Sequence, residues 1–420
     1  MSNDIYDSAG RSDFRDNFGA TIKRVIQALP NNSPATNNAQ GQILAGVLKD
    51  LQAAHKIILE QASDETQAAA TPDSRAKELV AAAAATFTDI GSTHLTSNQS
   101  NKALQFFDLA LPLFEVVGDK SKEATTLINI GRAHAALGEP EKALQFCEQA
   151  LPLFLAVGDK VGEAAVYNNL ANVYQITGDI TKALQYYERA LSLIQAGGDK
   201  LGEATALNNI GSFYHAVGDN NKALKYYEQA LPIIREVGDK GTEANTFNNI
   251  SNAYQSLGAS QKALKVLDLA LPLFREVGDK LGEAHCLNNK GSVYYDLNVT
   301  AKALHYFNLA LPLFRAAGDK GGEAATLNNI GGIYYTAGNP AASLQYLEQV
   351  LPLFAATGDK RSEATTRHNV ARIYYDLGQV EKAIKYLTLC VQVERQIEHP
   401  SLEKHKSLLI MWKAEFKRAK

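Results

Sequence analysis

The sequence has few cysteines, and their spacing argues against two kinds of site. The 3 cysteines among 420 residues are Cys147, Cys286 and Cys390. They lie far apart, with neither a CxxC motif nor a spacing that pairs them with histidine, which disfavours a disulfide framework and a metal site. Two of them stand where related segments of the chain carry apolar core residues. We therefore expect buried, reduced thiols in a cytoplasmic protein.

An excess of charge of either sign is also missing. The chain carries 42 Lys and Arg against 45 Asp and Glu, a formal net charge of −3, so it lacks the basic field that attracts nucleic acid. Its polar, acidic start does not resemble a secretory signal. The longest apolar stretch near that end, Leu79–Phe87, is too short and too rich in alanine to cross a bilayer. We expect neither nucleic-acid nor membrane partners.

A strict period dominates the rest of the chain. The tripeptide Gly-Asp-Lys recurs every 40 residues, with no insertion or deletion between copies. Such regularity predicts stacked units in which neighbours share one continuous core. The glycines of the tripeptide are Gly118, Gly158, Gly198, Gly238, Gly278, Gly318 and Gly358.

Each unit has the pattern of two helices joined by a tight turn. Gly238 stands where the glycine after a helix belongs, and Asp239 suits the N-cap of the next helix. Apolar residues then recur at helical spacing until Gly258, after which a second helical pattern begins. Asparagine also adopts the left-handed backbone conformation readily, so asparagine at this break supports a tight turn. The break positions are Asn98, Gly138, Gly178, Gly218, Gly258, Asn298, Gly338 and Gly378.

The spacing inside a unit resembles the tetratricopeptide repeat. Small residues occupy positions where two helices would cross closely, and aromatic residues fill the gaps between them. In one unit the residues that carry the resemblance are Leu207, Ile210, Gly211, Tyr214, Ala223, Tyr227 and Ala230. The unit is longer than the common form of about 34 residues. It is similar to the long units of kinesin light chains, of spindle-orientation adaptors and of bacterial arrays that precede caspase-like CHAT domains.

The resemblance implies an all-α fold. We expect a right-handed α-solenoid of about eight tandem helix hairpins across residues 79–397. Residues 1–78 lie outside the repeats and should form helices with polar linkers. Within them the amphipathic segment Ile43–Gln61 either covers the end of the first repeat or serves docking or dimerisation. Residues 398–420 should form a capping helix, although a short basic helix could also bind a membrane or a partner. We see no effector domain after the last unit.

Asparagine recurs at one position of the first helix in every unit but one, although it is a poor residue inside a helix. In the family this stripe lines a concave groove, so the resemblance implies contact with a bound peptide. A carboxamide offers one acceptor and two donors, which suits the main chain of an extended strand. The alternative is a ladder of asparagines that bond to one another and stiffen the array. The positions are Asn129, Asn169, Asn209, Asn249, Asn289, Asn329 and Asn369, with Asp89 in the first unit.

Neighbouring positions differ between units and could select a partner. Arg132 and Arg372 could pair with acidic side chains, and Asn172 and Asn252 stand at the same position in other units. A second asparagine row points towards the next unit and is expected to be structural: Asn168, Asn208, Asn248, Asn288 and Asn328. Lys290 replaces a core isoleucine, and either its ammonium group reaches outward or it places a cation at the floor of the groove.

The sequence contains no recognisable catalytic motif. Its glycines form no phosphate-binding loop, and the nine histidines form neither an HExxH motif nor a cluster with cysteine. We therefore expect no enzyme, no cofactor and no metal site. The leading interpretation is a scaffold that binds a protein or peptide partner. The alternatives are a sensor that changes shape on binding a signalling peptide and a self-associating structural rod. The sequence identifies neither the partner nor the oligomeric state.

Overall fold

A computed structural model describes residues 5–28, 39–63, 74–97 and 99–419. In these ranges the chain forms nineteen α-helices and no strand, which confirms the all-α prediction. The helices are α1 (Ile5–Ala28), α2 (Ala39–Ser63), α3 (Ser74–Thr96), α4 (Ser100–Val117), α5 (Lys120–Ala136), α6 (Pro140–Val157), α7 (Lys160–Thr177), α8 (Ile180–Gly197), α9 (Lys200–Ala216), α10 (Asn220–Val237), α11 (Lys240–Ser256), α12 (Ser260–Val277), α13 (Lys280–Asp296), α14 (Thr300–Ala317), α15 (Lys320–Thr336), α16 (Pro340–Thr357), α17 (Lys360–Asp376), α18 (Val380–Gln396) and α19 (Leu402–Ala419).

The chain forms two compact units, Met1–Ala206 and Leu207–Lys420. In the first unit α3 pairs with α4, α5 with α6 and α7 with α8. The second unit contains the pairs α11–α12, α13–α14, α15–α16 and α17–α18. Within each unit the second helix of a pair also packs on the first helix of the next pair, and successive first helices touch, as α5 and α7 or α11 and α13 do. This consecutive packing is that of an α-solenoid of helix hairpins.

The turns between hairpins follow from the repeated tripeptide. Gly238 adopts a φ of 80°, in the left-handed region where glycine has no Cβ to clash. Asp239 then caps α11, and its Oδ1 accepts a hydrogen bond from the Thr242 amide at 3.0 Å. Asn298 has a φ of 58°, which confirms the predicted left-handed turn at that break. Asn98 lies outside the described residues.

Small residues stand where the two helices of a hairpin cross. At Gly211 an added Cβ would lie 2.5 Å from Cε1 of Tyr227, so the tyrosine ring packs directly on the helix backbone. Gly291 stands in the same relation to Phe307, at 2.7 Å. Both aromatic rings are buried. The close crossing predicted from the repeat signature is therefore present in both hairpins.

Two helices precede the hairpins of the first unit. Helix α2 contains the predicted amphipathic segment, and its Val47, Leu51 and Ile58 are buried in a cluster with Val80 of α3. Helix α1 contacts α2 and α4. The polar sequence of residues 29–41 predicts a linker between these helices; residues 29–38 lie outside the described residues, and residues 39–41 are helical.

The last helix packs on the end of the second unit. Leu409 and Trp412 of α19 are buried, and the Trp412 ring stacks on Tyr375 with centroids 4.3 Å apart. Helix α19 therefore covers apolar surface of the last hairpin. This contact is the one that a capping helix requires.

Candidate functional site

The asparagine row lies on the first helices of the hairpins and is half-buried over most of its length. Asp89 at one end is exposed, whereas Asn129 is only 9% exposed. The other six asparagines are partly accessible. Within each unit the row is therefore neither sealed inside the core nor fully in solvent. Its side chains lie between successive first helices.

Three members of the row make hydrogen bonds within the protein. Asn289 donates to Asn248 Oδ1 at 3.0 Å and to Asn252 Oδ1 at 2.9 Å, which links α13 to α11. Asn169 donates to the backbone carbonyl of Ala165, one turn earlier, at 2.8 Å. Asn129 accepts from Arg132 at 3.3 Å, also within its own helix. Asn289 thus forms the inter-hairpin bond that the ladder alternative requires.

The other four asparagines make no side-chain hydrogen bond with any described residue. They are Asn209, Asn249, Asn329 and Asn369. Each is partly accessible, so its carboxamide can exchange water for another donor or acceptor. These four are the members of the row that remain available to a ligand.

Three members of the adjacent asparagine row, Asn208, Asn248 and Asn288, form hydrogen bonds from one hairpin to the next. Asn168 and Asn328 form none with any described residue. Asn208 donates to the Thr246 hydroxyl at 2.8 Å. Asn288 accepts from the Thr326 hydroxyl at 3.0 Å. Both threonines are buried. These asparagines therefore help to hold successive hairpins together.

A small cavity of about 180 Å³ lies between α5 and α7 in the first unit. Arg132, Asn169 and Asn172 line it, with Cys147 of α6 at the same cavity. Three predicted residues, which come from two positions of the repeat in successive hairpins, are thus brought together. Asn172 also accepts a hydrogen bond from Tyr187, whose pKa burial raises to about 12, so the hydroxyl stays a donor.

A second cavity of about 180 Å³ lies between α15 and α17 in the second unit. Its lining includes the predicted residues Asn369 and Arg372, together with Asn328 and Tyr335. The sequence register places this cavity five repeats after the first, because Asn369 corresponds to Asn169. Both cavities therefore occupy the same position of the repeat.

The two cavities differ in where they carry their arginine. The first cavity carries Arg132 on α5, at the repeat position where the second cavity has a glycine. The second cavity carries Arg372 on α17, at the repeat position where the first cavity has Asn172. Arg372 is held by Tyr335: its Nη2 lies 3.3 Å from the hydroxyl, and its guanidinium group lies 5.3 Å from the ring centroid. The Tyr335 hydroxyl donates to Asp376 at 2.8 Å. Each cavity thus offers one exposed cation beside an amide.

The remaining predicted residues line neither cavity, among them Asn252, Asp89 and Lys290. Asn252 is engaged with Asn289, and Asp89 is at the exposed face of α3. Lys290 is buried, and its ammonium group contacts Asp268 of the second helix α12 at 2.6 Å. Its charge is therefore satisfied by Asp268, and Lys290 lines neither cavity. Tyr335 stands at one of the positions beside the asparagine row that differ between units, where the sequence predicts contacts that select a partner.

The cysteines are buried thiols, as expected. Burial raises the pKa of Cys147, Cys286 and Cys390 to about 12 in each case. One of them lies beside a histidine that is distant in the sequence. Cys390 Sγ and His405 Nδ1 are 3.9 Å apart, although the residues belong to different helices. Sequence spacing missed the pair because a turn folds α19 back onto α18.

None of the described helices combines the length and the apolar character that crossing a membrane requires. No curated protein is significantly similar to the chain in sequence.

Solved structures show where the same fold occurs. A Signal Transduction ATPase with Numerous Domains protein with a tetratricopeptide repeat sensor, from Pyrococcus horikoshii, has a TM-score of 0.55 at 17% identity; the match covers 86% of this chain but only 55% of that protein. Aspartyl phosphate phosphatase F from Bacillus subtilis has a TM-score of 0.53 at 13% identity, with coverage of 81% and 94%. The quorum sensor NprR from B. thuringiensis, in its apo form, has a TM-score of 0.53 at 16% identity, with coverage of 85% and 99%. At such identities the likeness concerns the fold alone.

The family model for the tetratricopeptide repeat matches residues 82–156, 162–236, 242–316 and 322–395. These ranges cover more than half of the chain and contain every hairpin that lines the two cavities. Repeats of this kind support a protein-interaction role. The chain belongs to the tetratricopeptide repeat family.

Proposed function

We propose that this protein is a non-enzymatic interaction scaffold that binds an extended peptide segment of a partner on the first helices of its hairpins. The observation that carries the proposal is the pair of cavities at the same position of the repeat, each lined by a row asparagine and an arginine. A feature that recurs at one position of the repeat with different lining residues suits the selection of individual side chains of a ligand.

The cavities fit a side chain better than a cofactor. Small-molecule sites usually enclose about 300–1,000 Å³, whereas each of these encloses about 180 Å³. An amide at the rim can bond to the N–H and the C=O of a peptide main chain. The four row asparagines without an intramolecular bond supply such amides along the hairpins.

The arginines favour an acidic residue in the bound segment. Arg132 and Arg372 are exposed, and a guanidinium group binds a carboxylate in a planar, bidentate geometry. Arg372 is also held in place by Tyr335, so part of its side-chain entropy is already lost before a ligand binds. We infer a partner segment that is extended and carries at least one Asp or Glu.

Selection of peptides from a random display library on the full-length protein tests this function. Peptides selected on the native protein should bind a variant with Asn209, Asn249 and Asn329 changed to alanine at least about tenfold more weakly, a loss of about 1.4 kcal/mol. The matched control replaces three exposed amides of second helices, Gln105, Gln149 and Gln229, by alanine and should bind normally.

Arg372→Ala adds a second arm to this test. It should weaken acidic peptides and leave neutral ones unchanged. The proposal fails if the selected peptides bind the asparagine variant and the glutamine control equally well. It also fails if no peptide can be selected on the native protein.

A peptide-responsive sensor is the second candidate. NprR, described as a quorum sensor, shares the fold over 99% of its own length and 85% of this chain. In a sensor, the selected peptide should change the radius of gyration measured by small-angle X-ray scattering. In a passive scaffold the radius should stay the same with and without peptide.

A further inference from the structure

Three buried side chains meet where α19 folds onto α18, away from both cavities. They are Cys390, Glu394 and His405, which are 0%, 1% and 8% exposed. His405 Nδ1 lies 2.8 Å from Glu394 Oε1 and 3.9 Å from Cys390 Sγ. All three candidate ligand atoms lie within 4.8 Å of one another.

One polar atom of this cluster has no partner among the described residues. Glu394 Oε2 is buried and makes no hydrogen bond, although the other oxygen of the same carboxylate is bonded to His405. A buried carboxylate oxygen without a partner is costly, and native structures rarely contain one unless a water or an ion completes it. The orphaned oxygen is an observation independent of the cluster's composition, and it leaves a buried, negatively charged ligand atom open to a further partner.

The local fold explains how the three groups come together. Cys390 and Glu394 are four residues apart on α18, so they share one face of that helix. His405 comes from the first turns of α19, and its ring stacks on His368 with centroids 4.1 Å apart, which fixes its plane. His399, in the connection, lies 3.4 Å from Glu394 Oε1. The nearby Arg367 is already bound to Glu363 at 2.7 Å.

We propose that Cys390, Glu394 and His405 form a site for a borderline-soft divalent cation, with Zn²⁺ the best match. A thiolate, a carboxylate and an imidazole are the three ligand types that Zn²⁺ takes in proteins. Bonds of about 2.0–2.3 Å in a tetrahedron leave neighbouring ligand atoms roughly 3.3–3.8 Å apart. The observed separations bracket these values, so small side-chain rotations are sufficient. The fourth position is taken by water.

Such an ion would clamp the terminal helix to the last hairpin. Its ligands come from two helices that otherwise meet through apolar contacts, and an ion that binds the folded state alone stabilises that state by mass action. The site is independent of the proposed peptide-binding function, because none of its ligands lines either cavity.

Metal titration of the full-length, metal-stripped protein tests the site. Zn²⁺, added in competition with a chromophoric chelator, should bind with one equivalent per chain. Co²⁺ should give a sulfur-to-cobalt charge-transfer band in the near ultraviolet. Cys390→Ser should abolish this band, and Glu394→Gln and His405→Asn should each weaken Zn²⁺ binding by about 100-fold or more, above the loss typical of outer-shell changes. Zn²⁺ should also raise the melting temperature of the native protein.

Cys286→Ser is the matched control, since Cys286 is equally buried in the same unit but lies outside the cluster. It should keep the cobalt band and the native affinity. Circular dichroism first establishes that each variant is folded. If Cys390→Ser does not fold, the nearly isosteric Glu394→Gln still tests the site. The inference is overturned if the native protein binds no stoichiometric Zn²⁺. It is also overturned if the cobalt band survives in Cys390→Ser or if Glu394→Gln binds Zn²⁺ with native affinity.

Discussion

The buried Lys290 of α13 forms an ion pair with the exposed Asp268 of α12, with Nζ 2.6 Å from Oδ1. Lys290 is 5% exposed, and its ammonium group also lies 4.7 Å from the centroid of the Tyr306 ring. Burial by itself lowers the pKa of this lysine, but the bond to Asp268 outweighs burial and the net pKa is raised. A residue that breaks the apolar pattern of the repeat is thus accommodated by one carboxylate on the preceding hairpin.

Removal of Asp268 should therefore destabilise the protein. Asp268→Ala leaves a buried ammonium group without its counter-ion, and we expect a loss of roughly 1–3 kcal/mol, below the full value for a buried pair because Asp268 is itself exposed. Lys290→Ile restores the apolar residue of the other repeats and should be neutral or stabilising by up to about 2 kcal/mol. Urea denaturation measures both.

The preceding repeat provides the control for this pair. Glu228 corresponds to Asp268, and Ile250 stands at the position of Lys290. Glu228→Ala should change the free energy of unfolding by no more than about 0.5 kcal/mol. Equal losses in Asp268→Ala and Glu228→Ala would contradict the importance of the ion pair.

The asparagine row should divide into two classes on mutation. Asn289→Ala removes two hydrogen bonds between hairpins and should cost about 1–2 kcal/mol of stability. Asn249→Ala removes none and gains helix propensity, so its effect should stay within about 0.5 kcal/mol. Thermal and urea unfolding of the two single variants decide the matter. A loss above about 2 kcal/mol in Asn249→Ala would mean that the whole row is a structural ladder.

The left-handed turn at Asn298 should be improved by glycine. Glycine adopts a φ of 58° without the strain that a Cβ introduces, so Asn298→Gly should raise stability by roughly 0.5–1 kcal/mol. Asn298→Ala should lower it by about 1 kcal/mol, because alanine lacks the local hydrogen bonding that lets asparagine visit this region. If both variants had the stability of the native protein, the left-handed backbone conformation at this turn would not affect the free energy of unfolding.

Glu283 should contribute stability that disappears in acid. Burial raises the pKa of its carboxyl group, but hydrogen bonds from Arg275 at 2.6 Å and Lys280 at 3.0 Å outweigh burial, and the net pKa is lowered. A lowered folded-state pKa means that the stabilisation is complete above the unfolded value, about 4.3, and is lost as the pH falls through the folded value.

Glu283→Gln should consequently cost about 1 kcal/mol near neutral pH, a modest value because the two cations are exposed, and almost nothing near pH 3. Stability curves of the native and variant proteins measured against pH should converge in acid. Glu276→Gln, at an exposed ion pair with Lys240, should stay within about 0.5 kcal/mol at both pH values. A cost for Glu283→Gln that is the same at both pH values would refute the role of the charge.

The helices and their turns were predictable because they depend on short-range chemistry. The glycine and aspartate of each tripeptide specify a left-handed residue and an N-cap within three or four positions, and the apolar spacing specifies a helix face. Gly211 against Tyr227 was likewise predictable, since a small residue opposite an aromatic one is the repeat's own signature. Because the sequence pattern repeats, the interpretation of one hairpin applies to the others.

The candidate site was predictable only as a set of positions. The register put Asn169 and Asn369 on the same stripe, but it did not distinguish a free amide from one that bonds to its neighbour. Asn249 and Asn289 look alike in sequence, yet Asn289 alone finds Asn248 and Asn252 within 3.0 Å. That difference depends on which side chains the packing of successive hairpins brings together.

The amino-acid sequence by itself determined the repeat, the all-α hairpins and the caps, because these follow from periodicity and from contacts between near neighbours in the chain. Tertiary structure alone decided which asparagines stay available, where the two cavities lie, that Lys290 meets Asp268, and that Cys390 meets His405. Each of these features involves residues of different helices. Its geometry is therefore set by how the helices pack, and no local sequence pattern specifies that packing.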